Sequence, residues 1–271
     1  MTFRITLHSE SPRRIIPVNY QYPLSAALYG IIAKGNTRYA GFLHETGYGK
    51  GFKLFTFSRI NCPFQIDGDR LLLQDNTMTL DVYFHLPEAS ENFVKGLFQS
   101  KEIDIADKSS KVSFTVESVV RLPDPLNSKG KHDLVTVRLK PTSQIVSGIQ
   151  VQNGAYNYLS PDDPQYVTSL VYNWRGKIEA CYDKATAQSA ILLMKVMPAR
   201  RPFKARLITI KAGTEEETKV KGWLNFELEV SAQRRHVDIL LGAGAGLYNA
   251  MGCGGLEVAD SSLHNNVLKE E

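Results

Sequence analysis

Apolar and polar positions alternate in a way that divides the chain into strands and helices from its first residues. Phe3, Ile5 and Leu7 alternate with polar neighbours, predicting a half-buried strand over residues 3–9. Leu24, Ala27, Leu28, Ile31 and Ile32 then recur at helical spacing. Pro23 stands at the start of that stripe and Gly35 just past its end. A short helix is expected over Thr37–Glu45, broken into a loop by Gly47, Gly49 and Gly51. Lys53–Ser58 and Thr79–Leu86 alternate as strands, the second closed by Pro87. Ser90 is placed to cap a helix with Phe93, Val94, Leu97 and Phe98 inward, and Val112–Val116 is a further strand.

The stretch 122–133 (LPDPLNSKGKHD) concentrates turn formers and reads as a linker. Beyond it Val135, Val137 and Leu139 alternate. Val167, Leu170, Val171, Trp174 and Ile178 form a helical stripe within 164–181. Leu192–Met197, Arg206–Ile210, Trp223–Val230 and Leu256–Val258 read as strands, with a short helix after Ser231 carrying Val237, Leu240 and Leu241. Two halves that interleave strands and helices predict an α+β protein of two tandem ferredoxin-like (RRM-like) domains. The expected boundaries are 1–122, a linker at 123–133, 134–258 and a frayed polar tail at 259–271.

Composition narrows the class. The 271 residues are 43% hydrophobic and 22% charged, as in ordinary globular proteins. No apolar run reaches the roughly 18 residues of a spanning helix, and the first residues lack a signal-peptide pattern. Cys62, Cys181 and Cys253 are too few and too scattered for a disulfide framework or a zinc site, so a cytoplasmic protein is expected. The net charge of +4 says little, but Ala199–Ala212 holds Arg200, Arg201, Lys204, Arg206 and Lys211 with no acid among them. That run suits a solvated face or a phosphate-binding one.

Residues 242–255 contain six glycines. Gly244-x-Gly246 is followed by Asn249 where a dinucleotide fingerprint needs glycine, and no Gly-Lys-Ser/Thr follows for a P-loop. The loop is therefore read as packing closely against RNA or another chain segment rather than binding a nucleotide cofactor. The six histidines show no metal-ligand spacing, so no metal and no cofactor are expected. His44 stands apart from them. It ends a short helix before the glycine-broken loop, near Lys50 and Lys53, and Tyr29 lies off the stripe of the preceding helix. That grouping suits acid–base chemistry.

Arg38-Tyr39-Ala40-Gly41-Phe42-Leu43-His44-Glu45, the glycines after it and Phe52–Ser58 closely resemble the N-terminal signature of the CRISPR-associated repeat-RNA endoribonucleases, the sixth-numbered Cas proteins of the RAMP superfamily. Gly244-Ala245-Gly246, five residues and Gly252-Cys253-Gly254 are similar to that family's C-terminal glycine-rich loop. The resemblance implies metal-independent cleavage of CRISPR precursor transcripts within each repeat. In that reaction the ribose 2′-OH attacks the adjacent phosphate, leaving a 2′,3′-cyclic phosphate and a 5′-OH.

By position, the resemblance makes His44 the general acid or base, Tyr29 a second proton-handling or orienting group, and Lys53, with Lys50 as its alternative, the stabiliser of phosphorane charge. Precursor and processed repeat RNA are the implied partners. The resemblance leaves room for other CRISPR complex subunits and for a homodimer, but not for a membrane. RNA contacts are expected at Lys50, at Arg200, Arg201, Lys204 and Arg206, and at the glycine loop (Gly244, Gly246, Gly252, Gly254) through backbone amides and Asn249. A competing expectation is a non-cleaving RNA-binding subunit, like the fifth- and seventh-numbered Cas proteins.

Overall fold

The computed structural model describes residues 1–152, 154–198, 201–212 and 214–259. Two sheet-rich lobes make up an α+β protein. In the first, β1 (Thr2–His8) precedes a short β2 (Ile15–Pro17), then α1 (Gln21–Gly35), α2 (Thr37–Glu45) and β3 (Phe55–Phe57). They are followed by β4 (Phe64–Asp67), β5 (Arg70–Leu73), β6 (Thr77–Phe84), α3 (Pro87–Gln99), β7 (Glu102–Ala106) and β8 (Lys111–Arg121). The main sheet runs β3-β6-β1-β8-β7 with every neighbour antiparallel, and β2-β5-β4 form a small separate sheet.

The sequence pattern explains this arrangement. Ile5 and Leu7 of β1 are fully buried against Leu24, Leu28 and Ile32 of α1, so the strand's period of two meets the helix's stripe in one core. Across the sheet, Arg4 donates two hydrogen bonds of 2.8 Å to the Asp81 carboxylate of β6, beside the Arg4–Asp81 register pair.

The second lobe comprises β9 (Leu134–Pro141), a hairpin of β10 (Ser147–Gln150) and β11 (Tyr156–Leu159), α4 (Tyr166–Cys181) and α5 (Lys184–Ser189). It continues with β12 (Leu193–Pro198), a hairpin of β13 (Lys204–Ile210) and β14 (Thr218–Leu224), β15 (Phe226–Gln233), α6 (Arg234–Ala243) and β16 (Leu256–Val258). Its sheet runs β12-β15-β9-β16, again antiparallel. Tyr166, Leu170, Trp174 and Ile178 of α4 share a core with Val137, Leu139, Leu228 and Val230 of the sheet and Val237 and Leu240 of α6. Trp174 Nε1 donates to His236 O at 2.9 Å, which satisfies the one polar atom of that buried ring.

Several expectations need correction. Phe98 is 85% exposed, because Phe93, Gly96 and Leu97 already occupy the inner face of α3. Helix α3 starts at Pro87 with Leu86 at the cap, and Ser90 lies inside it, donating to Pro87 O. The strand expected over Lys53–Ser58 shortens to Phe55–Phe57, since Leu54 has φ +54°. Trp223–Val230 is two strands rather than one: Asn225 at φ +67° turns the chain out of β14 and into β15. The segment 122–133 is a chain of turns pinned to α6, with Arg234 N donating to Asp133 O and Arg235 N to Lys131 O. Most of the expected tail lies outside the described residues. No helix among the described residues is long and apolar enough to cross a membrane.

Candidate active site

Helix α2 is capped by Asn36, whose side chain accepts a hydrogen bond from Tyr39 N at 3.0 Å. Tyr39, Ala40 and Leu43 bury the inner face of α2, which turns the next residue, His44, out to solvent. The loop that follows closes on itself, Tyr48 N and Phe52 O pairing at 2.8 Å and Phe52 N and Tyr48 O at 2.8 Å. Positive φ values at Gly47, Gly49 and Gly51 permit this tight return. It brings Lys53 back onto the end of the helix, where its ammonium donates to His44 O at 3.0 Å.

Tyr29 reaches the same place from α1. Its ring meets the His44 imidazole edge to face, with centroids 5.8 Å apart, and rests on Phe55 at 5.4 Å. Burial pushes the Tyr29 hydroxyl well above its ordinary pKa, so it stays protonated and is a hydrogen-bond donor rather than a base. Burial also pulls Lys53 below its usual range. Tyr29, His44 and Lys53 line one pocket of about 300 Å³. Its opposite wall is the run Gly246–Met251 of the glycine-rich loop, from the second lobe. Among the described residues no carboxylate lines it.

Lys50 faces away from this pocket. It lies 5.4 Å above the Tyr172 ring and within 3.4 Å of its hydroxyl, in an adjoining groove of about 660 Å³ that shares Phe52, Asn173, Gly246 and Leu247 with the pocket.

The glycine-rich loop is built differently from expectation. Gly244, Gly246, Gly252 and Gly254 are all buried. Gly244 N donates to Leu240 O, Gly252 N to Asn249 O and Gly254 N to Gln144 O, so these amides are spent inside the protein and are not offered to a ligand. At Gly246 (φ +68°) a Cβ would stand 2.0 Å from Val146 O, so only glycine allows the approach. Asn249 is also engaged internally: its Nδ2 donates to Ala245 O and Cys253 O, and its Oδ1 accepts from Lys177. What the loop presents to the pocket is its tip, Leu247–Met251.

The basic stretch does not join this pocket. Lys204 and Arg206 lie on β13, Arg206 with its guanidinium 5.7 Å from the Tyr20 ring centroid, and Arg201 is exposed just before that strand. Arg200 lies outside the described residues. The β13–β14 hairpin is tied to the loop from behind, where Ile208 and Val220 pack with Val146 and Cys253, and Leu247 and Tyr248 lean on the same cluster. Lys177 and Tyr172, both close to the site, were not singled out by sequence reasoning. A lysine on the apolar stripe of the helix expected at 164–181 was the available signal for the first.

Residues 15–120 match the family described as "CRISPR-associated protein Cas6, N-terminal", and residues 129–258 match "CRISPR associated protein Cas6, C-terminal". The CRISPR-associated endoribonuclease Cas6 1 of Methanocaldococcus jannaschii is 27% identical over 263 residues, spanning 94% of this chain and 92% of the relative. The CRISPR-associated endoribonuclease Cas6 of Pyrococcus furiosus is 26% identical over 205 residues, 74% of this chain and 72% of its own. The solved structure of a Cas6-related gene product from Pyrococcus furiosus superposes with a TM-score of 0.78 over 97% of this chain and 99% of that one, at 19% identity, which shows a shared fold. Both lobes carry a family match, and the pocket forms where the two lobes meet: the chain belongs to the Cas6 family of CRISPR-associated proteins.

Proposed function

We propose that this Cas6-family endoribonuclease cuts CRISPR precursor RNA in the pocket lined by His44, Tyr29 and Lys53, with no metal ion in the reaction. RNA supplies its own nucleophile, the 2′-OH next to the scissile phosphate. The protein then has three tasks: to align that oxygen with the phosphorus, to move a proton at the 2′-oxygen or the 5′-oxygen, and to offset the charge of the phosphorane. His44 is the solvent-facing imidazole that moves the proton. Tyr29, held protonated by its burial, donates a hydrogen bond and steadies the imidazole edge. Lys53 brings a cation to the phosphorane oxygens. The products are a 2′,3′-cyclic phosphate and a 5′-OH.

The observation that carries this reading is the meeting of a tyrosine, an exposed histidine and a lysine in one pocket that, among the described residues, has no carboxylate, the ligand type that a magnesium site uses. The adjoining groove, with Lys50 against Tyr172 and with Tyr156 in its lining, extends the RNA path away from the scissile bond. A cation beside the exposed Tyr172 ring and the half-buried Tyr156 ring suits phosphate contact and base stacking.

Each lobe is further read as ferredoxin-like. With β1, β3, β6 and β8 numbered one to four, the first sheet has the order 2-3-1-4, and β9, β12, β15 and β16 repeat it. On that reading the domains are 1–122 and 134–258, joined by 123–133.

His44→Ala tests the assignment. It is expected to bind repeat RNA as the wild type does and to cleave about 10²–10⁴-fold more slowly. Wild-type cleavage is expected to persist in EDTA. A strict need for Mg²⁺, or full activity in His44→Ala, refutes the proposal.

A further inference from the structure

Lys177 is only 1% exposed and lies on the buried face of α4 between Trp174 and Ile178. Its ammonium donates three hydrogen bonds to one segment: Gly244 O at 2.7 Å, Gly246 O at 3.3 Å and Asn249 Oδ1 at 2.7 Å. The Phe52 ring, which lines the His44 pocket, stands 5.9 Å from it. Among the described residues no carboxylate forms an ion pair with it. A buried ammonium without an anion is costly, and leucine or methionine would complete the apolar stripe of α4 without that cost. Core packing therefore does not account for a lysine here. Its three acceptors do, because all belong to the loop that forms the far wall of the pocket.

We propose that Lys177 is a positioning residue for RNA cleavage, its ammonium fixing the glycine-rich loop from behind so that Leu247–Met251 stand opposite His44. This rests on the assignment of the His44 pocket as the cleavage site. An ammonium has three N–H donors for three acceptors, whereas a neutral amine has two and turns its lone pair toward the third. Burial brings the Lys177 pKa down to about 7, so the clamp loosens just above neutrality. The other titratable groups facing it are Cys181, one turn along α4, and His85 beside α6. Burial pushes the thiol up to about 12 and the imidazole down to about 4, so neither changes charge in that range. His44, Tyr29 and Lys53 across the pocket are common to the wild type and to every Lys177 and Asn249 variant compared.

The test is single-turnover cleavage of repeat RNA at saturating enzyme from pH 5.5 to 9, with affinity measured on RNA carrying a 2′-deoxy substitution at the scissile nucleotide. Lys177→Met is expected to bind within about threefold of wild type and to cleave about 10–100-fold more slowly at pH 6.5, since a displacement of the wall by about 1 Å is worth that much. It is also expected to lose the fall in rate above neutrality. Lys177→Arg, charged at every pH used, is expected to recover most of the rate and to lack that fall as well. If Lys177→Met does not fold, Asn249→Ala decides: it removes one acceptor of the clamp, together with the Asn249 donations to Ala245 O and Cys253 O, and is expected to cost about 3–10-fold in rate and to flatten the fall above neutrality, which loss of those donations alone would not do. A folded Lys177→Met with the wild-type rate and pH profile overturns the inference, as does an unchanged Asn249→Ala where Lys177→Met misfolds. His44→Ala separates the two claims: full cleavage there removes the pocket assignment, whereas loss there with none in Lys177→Met removes only the clamp.

Discussion

Replacing Gly246 by alanine probes how closely the loop is packed. Two costs are expected. Alanine at φ +68° is in the left-handed region, a cost of about 1–2 kcal/mol. Its Cβ would also stand 2.0 Å from Val146 O, against a backbone that cannot rotate away, and overpacking of this kind costs about 1–3 kcal/mol. Gly68 provides the internal control. It has φ +56° in the β4–β5 turn, and a Cβ there meets nothing within 4 Å, so Gly68→Ala carries the backbone cost alone. For a chain of this size each kcal/mol lowers Tm by about 2–4 °C. Gly68→Ala should thus lose about 2–8 °C and cleave normally, and Gly246→Ala about 4–20 °C. Because Gly246 begins the pocket wall, its displacement should also slow single-turnover cleavage by about 10–100-fold. Equal Tm losses in the two variants, with wild-type cleavage in both, would refute the close packing of the loop.

Further outcomes follow from the same geometry. Burial, with Arg235 and Arg175 nearby, lowers the His236 pKa to about 4, against an ordinary 6.5. Below pH 6.5 the unfolded chain takes a proton that the folded chain refuses, so stability is full above 6.5 and falls as pH drops toward 4; His236→Phe should flatten the Tm profile across that window. Substituting Arg201 and Lys204 by alanine should weaken repeat-RNA binding and reduce its salt slope by about 1.4–1.8, as read in a filter-binding titration at several salt concentrations; an unchanged slope moves the RNA path off this stretch. Asn225→Val should cost about 1–2 kcal/mol more than Asn225→Gly in urea unfolding, because both lose the Asn225 Nδ2 donation to Pro202 O at 3.2 Å and only valine strains the left-handed φ of the β14–β15 turn.

What the sequence disclosed followed from local period. The α1 stripe, the short α2 and the glycine break after it placed Tyr29, His44 and Lys53 within one helix–helix–loop segment, and the structure gathers them in one pocket. Phe98 misled because three inward positions, Phe93, Gly96 and Leu97, already fill the face of α3, and a fourth apolar neighbour need not share it. The break at Asn225 was hidden in a run that alternates on both sides of it, where a single left-handed residue leaves little trace. Lys177 illustrates the larger limit. Periodicity treats a lysine near an apolar stripe as a solvated edge, and only the docking of the loop onto α4 supplies the three oxygens that make its burial tolerable. The fate of two further loop amides was equally nonlocal, since Gly254 N and Leu247 N donate to Gln144 O and Val146 O in the segment after β9.

The pocket belongs to neither lobe alone, and its two walls are fastened to each other. From the first lobe, Ser25 Oγ donates to Ala250 O at 2.6 Å, Thr56 Oγ1 donates to Cys253 O at 2.9 Å, and Phe57 lies so close to Gly252 that a Cβ there would stand 2.3 Å from its ring. From the second lobe, Lys177 and Val146 hold the same loop from the other side. The loop is thus the joint between the lobes as well as the wall facing His44, and loosening either attachment should register at the cleavage step as well as in global stability. Ser25→Ala and Thr56→Val each remove one buried donor from the first-lobe side; the first costs about 1–3 kcal/mol for the Ala250 carbonyl left unpaired, and the second costs less, since Cys253 O keeps its bond from Asn249 Nδ2. If the joint acts as one unit, the double variant should slow single-turnover cleavage by more than the product of the two single effects. Strict multiplicativity, with Tm losses that simply add, would mean that the two bonds stabilise the fold without aligning the site.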